Sequence, residues 1–252
     1  MADFLESTIK KDTAAQVKKI SHLLKKAEHT TALTGAGIST PSGIPDFRSA
    51  DSGLWTRSNP FEVASLSAFR NHPERFFNWL RPLAGHAPNA RPNAAHQALS
   101  ILQAEGLLEE IITQNIDALH QRAGSNQVIE VHGTLESLTC PDCKQQVEVD
   151  QEILQVFLEQ ANIPCCKHCG GILKPDAVLF GEQLPGNAWK KARTASRSCD
   201  LMLVLGSSLT VMPVSNLPRE ALRTGAELII INQEKTPFDR QAEVVIHGDL
   251  AA

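Results

Sequence analysis

Short runs rich in aliphatic residues alternate with amphipathic segments along most of the chain. The runs lie at 31–33, 107–112, 128–131, 201–205, 228–231 and 244–246. The runs at 201–205 and 228–231 contain no polar residue, which is typical of parallel strands covered on both faces. Because segments of helical periodicity separate several runs, the pattern predicts an α/β fold with a doubly wound parallel sheet.

Two helices are predicted in the first half of the chain. One begins at Asp12, a good N-cap residue, and continues to about residue 28 with its apolar positions on one face. The other covers 94–105, with Asn93 as its N-cap and Gly106 directly after its end. Two segments, roughly 50–91 and 140–169, interrupt the alternation of strands and helices and indicate insertions.

Polar side chains follow two of the predicted strands at the point where each strand ends. Gln114, Asn115 and Asp117 follow one strand, and His132 follows the next strand along the chain. Ligands of open α/β sheets bind at the carboxyl ends of the strands. We therefore expect one imidazole and three hydrogen-bonding side chains to meet in one crevice.

Turns of small residues follow three other strands. Gly35-Ala36-Gly37 would let backbone amides approach a pyrophosphate at the N-terminus of the next helix. The third small position is Thr40, and no acidic residue follows a second strand, so this turn alone fits a plain tight turn equally well. Gly206-Ser207-Ser208 and Asn232-Gln233 follow two further strands. Together these turns favour a dinucleotide site.

Four cysteines in two pairs indicate a metal site. Cys140 and Cys143 form one pair, Cys166 and Cys169 form the other, and 22 residues separate the pairs. Four thiolates complete a tetrahedral Zn²⁺ site and leave no position for water, so the predicted role is structural. Cys165 would not give the two-residue spacing to Cys169. The alternative is four thiols without a metal.

Composition restricts the partners and the location. Hydrophobic residues make up 42% of the chain and charged residues 21%, as in globular proteins. A net charge of −4 gives no electrostatic case for nucleic acid or an anionic membrane as partner. No signal peptide and no apolar segment of membrane-spanning length is visible. With six cysteines in such a chain, we expect a cytoplasmic, metal-binding protein.

In order along the chain, these motifs closely resemble those of the sirtuins, the NAD-dependent protein lysine deacylases. The resemblance spans about residues 20–250 and rests on 35–40, 43–48, 114–120, 132–133, the two cysteine pairs, 178–182, 206–209 and 231–232. It implies a Rossmann-like large domain and a smaller domain made of a zinc ribbon and a helical insertion. The implied boundaries are 1–49, 92–138 and 175–252 for the large domain, 50–91 for the helical insertion and 139–174 for the zinc-binding module.

The resemblance also implies a reaction and its catalytic residues. Sirtuins remove acyl groups from protein lysines and give nicotinamide, 2′-O-acyl-ADP-ribose and free lysine. His132 matches their general base, which takes a proton from a ribose hydroxyl. Asn115 matches the residue that orients the nicotinamide ribose and a water. Ile116 and Asp117 match the positions that bind the nicotinamide carboxamide.

Binding residues for NAD and for the acyl-lysine peptide follow from the same resemblance. Val178, Phe180 and Gly181 match the segment that pairs with the peptide backbone by strand addition and walls the lysine tunnel. The remaining residues implied for NAD are Gly35, Ala36, Gly37, Thr40, Asp46, Phe47, Arg48, Gln114, Gly206, Ser207, Ser208, Asn232, Gln233 and Leu250.

Two positions in the helical insertion indicate which acyl groups the protein prefers. Sirtuins that prefer acidic acyl groups use a Tyr and an Arg in the helical insertion, and the matching positions here are Leu80 and Leu83. A carboxylate buried against leucines would lose hydration without gaining a partner, so we expect neutral acyl groups, acetyl first. The alternative function is an ADP-ribosyltransferase or NAD glycohydrolase, which would need Asn115, Asp117 and His132 as well.

Overall fold

The computed structural model describes residues 2–46, 53–54, 58–86 and 89–251, with the backbone alone for 2–13. The helices are α1 (Ala2–Lys26), α2 (Pro60–Val63), α3 (Leu66–Asn71), α4 (Pro73–His86), α5 (Ala94–Ala104), α6 (Leu119–Arg122), α7 (Gln151–Glu159), α8 (Gly186–Ser198) and α9 (Leu217–Arg223). The strands are β1 (Thr30–Thr34), β2 (Glu110–Thr113), β3 (Val128–Glu130), β4 (Ser137–Thr139), β5 (Gln146–Glu148), β6 (Lys174–Pro175), β7 (Leu201–Leu205), β8 (Glu227–Ile231) and β9 (Val244–Ile246).

A six-stranded parallel sheet forms the large domain, with strand order β3-β2-β1-β7-β8-β9. This order is that of the Rossmann fold, and it reverses beside β1. The strands end in register, since Thr34 pairs with Thr113 on one side and with Leu205 on the other. The loops that follow β1, β2 and β7 therefore leave the sheet at one edge, where the doubly wound architecture places ligands.

Both faces of this sheet are covered, as the aliphatic runs predict. Leu33, Ile112 and Val204 contribute to one buried cluster together with residues of α8 and α9. Ala32 and Ile111, their neighbours along the strands, belong to the opposite cluster with residues of α1 and α5. Alternation along each strand thus supplies two cores from one sheet. Among the described residues, no helix combines the length and the apolar character that crossing a membrane requires.

The small domain combines the two insertions. Its antiparallel sheet has the order β5-β4-β6, and its apolar cluster brings α3 and α4 against α7. The rings of Phe77 in α4 and Phe157 in α7 lie 5.8 Å apart, edge to face. Arg81 donates from Nε to the carbonyl oxygen of Phe157 at 2.9 Å. The helical insertion and the cysteine-containing segment therefore share one core.

Two element boundaries differ from the sequence prediction. Helix α1 begins at Ala2 and not at Asp12, because no glycine or proline interrupts residues 2–26. Strand β2 begins at Glu110 and not at residue 107. The amides of residues 107 and 108 instead donate back to the carbonyl oxygen of Leu102, and Gly106 has φ +70°. These residues terminate α5 before the strand starts.

Candidate active site

The glycines after β1 are required by a close approach of two strand ends. A Cβ on Gly35 would lie 2.8 Å from the carbonyl oxygen of Gly206, and a Cβ on Gly37 would lie 2.9 Å from the Cα of Gly206. The amide of Gly37 already donates to Gly206 O at 2.9 Å. The prediction that a helix begins directly after this turn is wrong. Two 3-10 turns, Ala36–Ile38 and Thr40–Ser42, follow instead, and Gly43 in the left-handed region ends the second.

A cavity of about 140 Å³ lies along the carboxyl edge of the large sheet. Loops after β1, β2, β7, β8 and β9 all contribute to its wall, so it crosses the point where the strand order reverses. Phe47 and Arg48 lie outside the described residues. The predicted NAD residues that line the cavity are Gly35, Ala36, Gly37, Thr40, Asp46, Gln114, Asn115, His132, Gly206, Ser207, Ser208, Asn232, Gln233 and Leu250.

A second cavity, of about 930 Å³, extends from the same edge into the cleft between the two domains. Its lining includes Ile116, Asp117 and the predicted peptide-binding residues, which are Val178, Phe180 and Gly181. The two cavities share Ala36, Gln114, Asn115, His132 and Val211. The two residues with predicted catalytic roles therefore lie where the groove at the strand ends meets an apolar channel.

Ser39 connects two of the predicted site residues and was not among the predicted ones. Its hydroxyl donates to Asp117 Oδ2 at 2.7 Å and accepts from Asn115 Nδ2 at 3.0 Å. Asp117 Oδ1 accepts from the amide of Leu119 at 2.9 Å, so this carboxylate also satisfies the first amide of α6. Both oxygens of Asp117 and the amide group of Asn115 are thus held before any ligand binds.

His132 has the properties of a base. Its Nδ1 donates to the carbonyl oxygen of Gln114 at 3.0 Å, which leaves Nε2 as the basic nitrogen. Burial lowers the pKa of His132, and the Gln114 carbonyl opposes part of this effect. The imidazole is therefore neutral at neutral pH. The residue after His132 must be a glycine, because a Cβ on Gly133 would collide with the carbonyl oxygen of Asp176.

Two further histidines lie beneath the site, with ring centroids 4.9 Å apart. His96 Nε2 is 3.5 Å from Ser39 Oγ, and His120 Nε2 is 3.0 Å from the hydroxyl of Thr34. Burial, with a smaller contribution from His96, lowers the pKa of His120 to about 3. Burial also lowers the pKa of His96. These neutral rings fill the space behind Ser39, a role that helix periodicity alone could not reveal.

Loop contacts shape the far end of the groove at the strand ends. Gln114 donates from Nε2 to Ser207 Oγ at 2.9 Å, which ties the loop after β2 to the loop after β7. His247 Nδ1 is 3.0 Å from the carbonyl oxygen of Asn232, and its Nε2 is 3.1 Å from Asp239 Oδ2. These bonds fix the loops that carry Asn232 and Leu250 relative to each other.

The four cysteines converge on one point. Their sulfur atoms all lie within 4.8 Å of one another, with Cys140–Cys169 at 3.5 Å and Cys143–Cys166 at 3.6 Å. Zn–S bonds of about 2.3 Å in a tetrahedron require sulfur separations of about 3.8 Å, so the donor set fits Zn²⁺. With four thiolates, the site would be closed and structural.

The other two cysteines lie apart from this cluster. Cys165 is exposed, and its sulfur contacts the carbonyl oxygen of Ile163 at 3.5 Å. Cys199 is buried, and burial raises the pKa of its thiol to about 12. A thiol held protonated in this way is a poor nucleophile, so Cys199 acts as a small apolar residue.

The fold and the site together define a class: a dinucleotide-binding α/β protein whose small domain carries a four-cysteine metal site beside the ligand cleft. A model of the Sir2 family matches residues 35–213, and the chain belongs to this family. An NAD-dependent protein deacetylase of Thermotoga maritima is 42% identical over 235 residues, which cover 93% of this chain and 94% of the relative.

Solved structures of the family agree with this assignment. A Sir2 variant with a deacetylated p53 peptide and 3′-O-acetyl ADP ribose has a TM-score of 0.87 at 41% identity, covering 93% of this chain and 94% of the other. A Sir2 structure with p53 peptide and NAD⁺ has a TM-score of 0.84 at 41% identity, covering 93% of each chain.

Proposed function

We propose that the protein removes acyl groups, acetyl preferred, from protein lysine side chains with NAD as co-substrate. The products are nicotinamide, 2′-O-acyl-ADP-ribose and free lysine. One observation carries this conclusion: the groove at the strand ends and the channel between the domains meet at His132 and Asn115. The similar Sir2 structures hold NAD⁺ or an acetylated ADP-ribose together with a peptide. The protein is an NAD-dependent protein deacetylase.

The junction suits a reaction between two bound substrates. NAD supplies an activated ribose carbon, and the acyl-lysine amide oxygen is a weak nucleophile for it. Such a pair reacts only when both are held in line and water is excluded. Asn115 is buried, and residues of both cavities surround His132. We assign the orientation of the nicotinamide ribose to Asn115.

We assign His132 as the general base. The Gln114 carbonyl accepts from Nδ1 and leaves Nε2 without this bond. Because the pKa of His132 is lowered, the imidazole stays neutral and can accept a proton from a ribose hydroxyl at Nε2. We assign Asp117 and the backbone at Ile116 to the nicotinamide carboxamide. Support comes from the bond between Ser39 and Asp117, which aims the carboxylate before nicotinamide arrives.

For the peptide, we assign different roles to Phe180 and Gly181. The amide of Phe180 donates to Ala64 O and its carbonyl accepts from the amide of Leu66, both at 3.0 Å. Its backbone is thus already paired with the helical insertion, and its side chain lines the channel. Strand addition by the substrate therefore falls to Gly181, which is exposed, while Val178 walls the lysine tunnel.

The remaining assignments concern the metal, the domains and the compartment. Cys140, Cys143, Cys166 and Cys169 would hold one structural Zn²⁺. We propose the large domain as 1–49, 92–138 and 175–252, with 50–91 and 139–174 forming the small domain; the strands at 137–139 and 174–175 lie at these seams. We also propose a cytoplasmic location, because metal-binding thiolates persist in reducing compartments.

Mass spectrometry of the products tests the function directly. Purified protein with NAD and an acetyl-lysine peptide should give equimolar nicotinamide, deacetylated peptide and 2′-O-acetyl-ADP-ribose. Free ADP-ribose with an intact acetyl-lysine peptide would show a glycohydrolase. Transfer of ADP-ribose to protein would show an ADP-ribosyltransferase. Either of these results would replace the proposed function.

A further inference from the structure

The loop of residues 176–182 joins three parts of the molecule. The amide of Val178 donates to the carbonyl oxygen of His132 at 2.8 Å, next to the catalytic imidazole. Phe180 forms a parallel bridge with Ser65 of the helical insertion. The loop also follows β6, a strand of the zinc-binding module. The loop therefore connects the catalytic junction to the wall of the acyl-lysine channel.

Lys174 in β6 holds this loop from one side. Its ammonium group donates to the carbonyl oxygen of Pro175 at 2.7 Å, to that of Ala177 at 3.0 Å and to Glu182 Oε2 at 3.0 Å. An ammonium has three donors, and all three are used. The side chains of Lys174 and Glu182 are only 17% and 20% exposed. This arrangement differs from a surface ion pair, whose partners remain hydrated.

Glu182 closes the loop on itself. The oxygen that accepts from Lys174 also accepts from the amide of Leu179 at 2.8 Å. The amide of Glu182 donates back to the carbonyl oxygen of Leu179 at 3.0 Å, and Gly181 between them has φ +89°. The carboxylate thus fixes the turn that presents Phe180 and Gly181 to the channel.

We infer that Lys174 and Glu182 are positioning residues for acyl-lysine binding, and that they couple the zinc-binding module to the peptide site. The inference rests on the proposed function. Without the ammonium, two carbonyl oxygens and a mostly buried carboxylate lose their partner, and the loop must rearrange to rehydrate them. NAD binding should be spared, because no residue of 174–182 lines the smaller cavity, which most of the predicted NAD residues line.

The test compares the KM for an acetyl-lysine peptide with the KM for NAD in the variant Lys174→Met. This substitution keeps most of the length of the side chain and removes its charge. We expect the KM for an acetyl-lysine peptide to rise about tenfold or more, as for the loss of a hydrogen bond to a charged group. The KM for NAD and the zinc content should stay at parent values. Lys174→Arg should recover most of the peptide affinity. Lys190→Met, the same change at an exposed lysine of α8, is the control.

Several outcomes would overturn the inference. A lower melting temperature with an unchanged peptide KM would make Lys174 a residue of general stability, and equal rises in both KM values would remove its specificity. If Lys174→Met does not fold, Glu182→Gln decides. Its amide oxygen can still accept from Leu179 but no longer forms an ion pair, and an unchanged peptide KM there overturns the inference. A parent protein without deacetylase activity would instead refute the proposed function.

Discussion

At the scale of single residues, the site depends on imidazoles that stay neutral. Burial lowers the pKa of His96, His120 and His132, in the case of His120 to about 3. A neutral His132 can accept a proton, while neutral His96 and His120 can lie with their rings 4.9 Å apart without repulsion. Protonating them would place charge behind the substrate pocket, so the chemistry and the stability share one requirement.

We predict that the protein loses stability as the pH falls below about 6.5, the ordinary histidine pKa. Between that value and the lowered folded pKa, the unfolded chain binds more protons than the folded one, so stability rises with pH in this window. Each such histidine contributes a slope of up to about 1.4 kcal/mol per pH unit. Urea unfolding at pH 7, 6 and 5 gives the free energy of unfolding at each pH and therefore this slope. His120→Gln should flatten the slope; a parent whose stability does not change over this range would contradict the prediction.

Ser39→Ala should weaken the NAD half of the site. Asp117 loses a donor and Asn115 loses an acceptor, so we expect kcat/KM for NAD to fall by about tenfold or more, as for the loss of one hydrogen bond to a carboxylate and one neutral hydrogen bond. The KM for the peptide should change little, because Ser39 holds Asp117 and Asn115, the two side chains assigned to nicotinamide and its ribose. Steady-state kinetics with each substrate varied measures both. Ser67→Ala removes an exposed hydroxyl and is the control; an unchanged kcat/KM in Ser39→Ala would refute the role.

At the scale of elements, α4 and α7 form the inner wall of the channel between the domains. Phe76, Leu80 and Leu83 of α4 and Leu154 and Phe157 of α7 all line the cavity. No charged side chain of α4 or α7 is among the lining residues. The wall therefore offers apolar contacts to an acyl group and no counter-ion.

Neutral acyl groups should accordingly be preferred. In competition between acetyl-lysine and succinyl-lysine peptides, we expect acetyl to be favoured by at least about two orders of magnitude in kcat/KM, because a buried carboxylate without a partner costs several kcal/mol. The double variant Leu80→Tyr with Leu83→Arg should lower the ratio of kcat/KM for acetyl-lysine over succinyl-lysine, because the new side chains supply partners for the succinyl carboxylate. Efficient desuccinylation by the parent would contradict this view of the channel.

Elements with strong patterns could be predicted from the sequence, and those without could not. The aliphatic runs at 201–205 and 244–246 match β7 and β9. The strands of the small sheet have only two or three residues, too few to show a period. The ordered motifs predicted residues that the structure brings together, since most of the predicted NAD residues line one cavity. Ser39 and Lys174 carry no local signal, since their roles arise from contacts with residues distant in sequence or within an irregular loop.

At the scale of the whole molecule, residues of both the large and the small domain line the larger cavity, and the four clustered cysteines are not among them. The four sulfur atoms tie the connection between β4 and β5 to the segment that leads into β6. Strand β6 continues into the loop that contacts His132 through Val178. The zinc-binding module therefore lines the cleft through α7 and supports its loop through β6, while four thiolate ligands would leave no open metal position for chemistry.

Removing the metal should consequently impair peptide binding as well as stability. We expect one Zn²⁺ per chain by elemental analysis. A chelator should abolish deacetylation and lower the melting temperature, because Zn²⁺ binding to a Cys₄ site is coupled to folding. Cys140→Ser should reproduce the loss, whereas Cys165→Ser, at an exposed cysteine outside the cluster, should retain zinc and activity. Full activity of metal-free protein would refute a structural role.

His132→Asn gives the most direct test of the central claim, that this imidazole acts as the base where the two cavities meet. The asparagine amide can still donate toward the Gln114 carbonyl but cannot accept a proton from ribose. Exchange of labelled nicotinamide into NAD, in the presence of acetyl-lysine peptide, reports the step before the base acts. We predict that the variant retains this exchange and loses deacetylation by about 10²-fold or more. Deacetylation at the parent rate, or loss of both reactions in a folded variant that still binds NAD, would contradict the account.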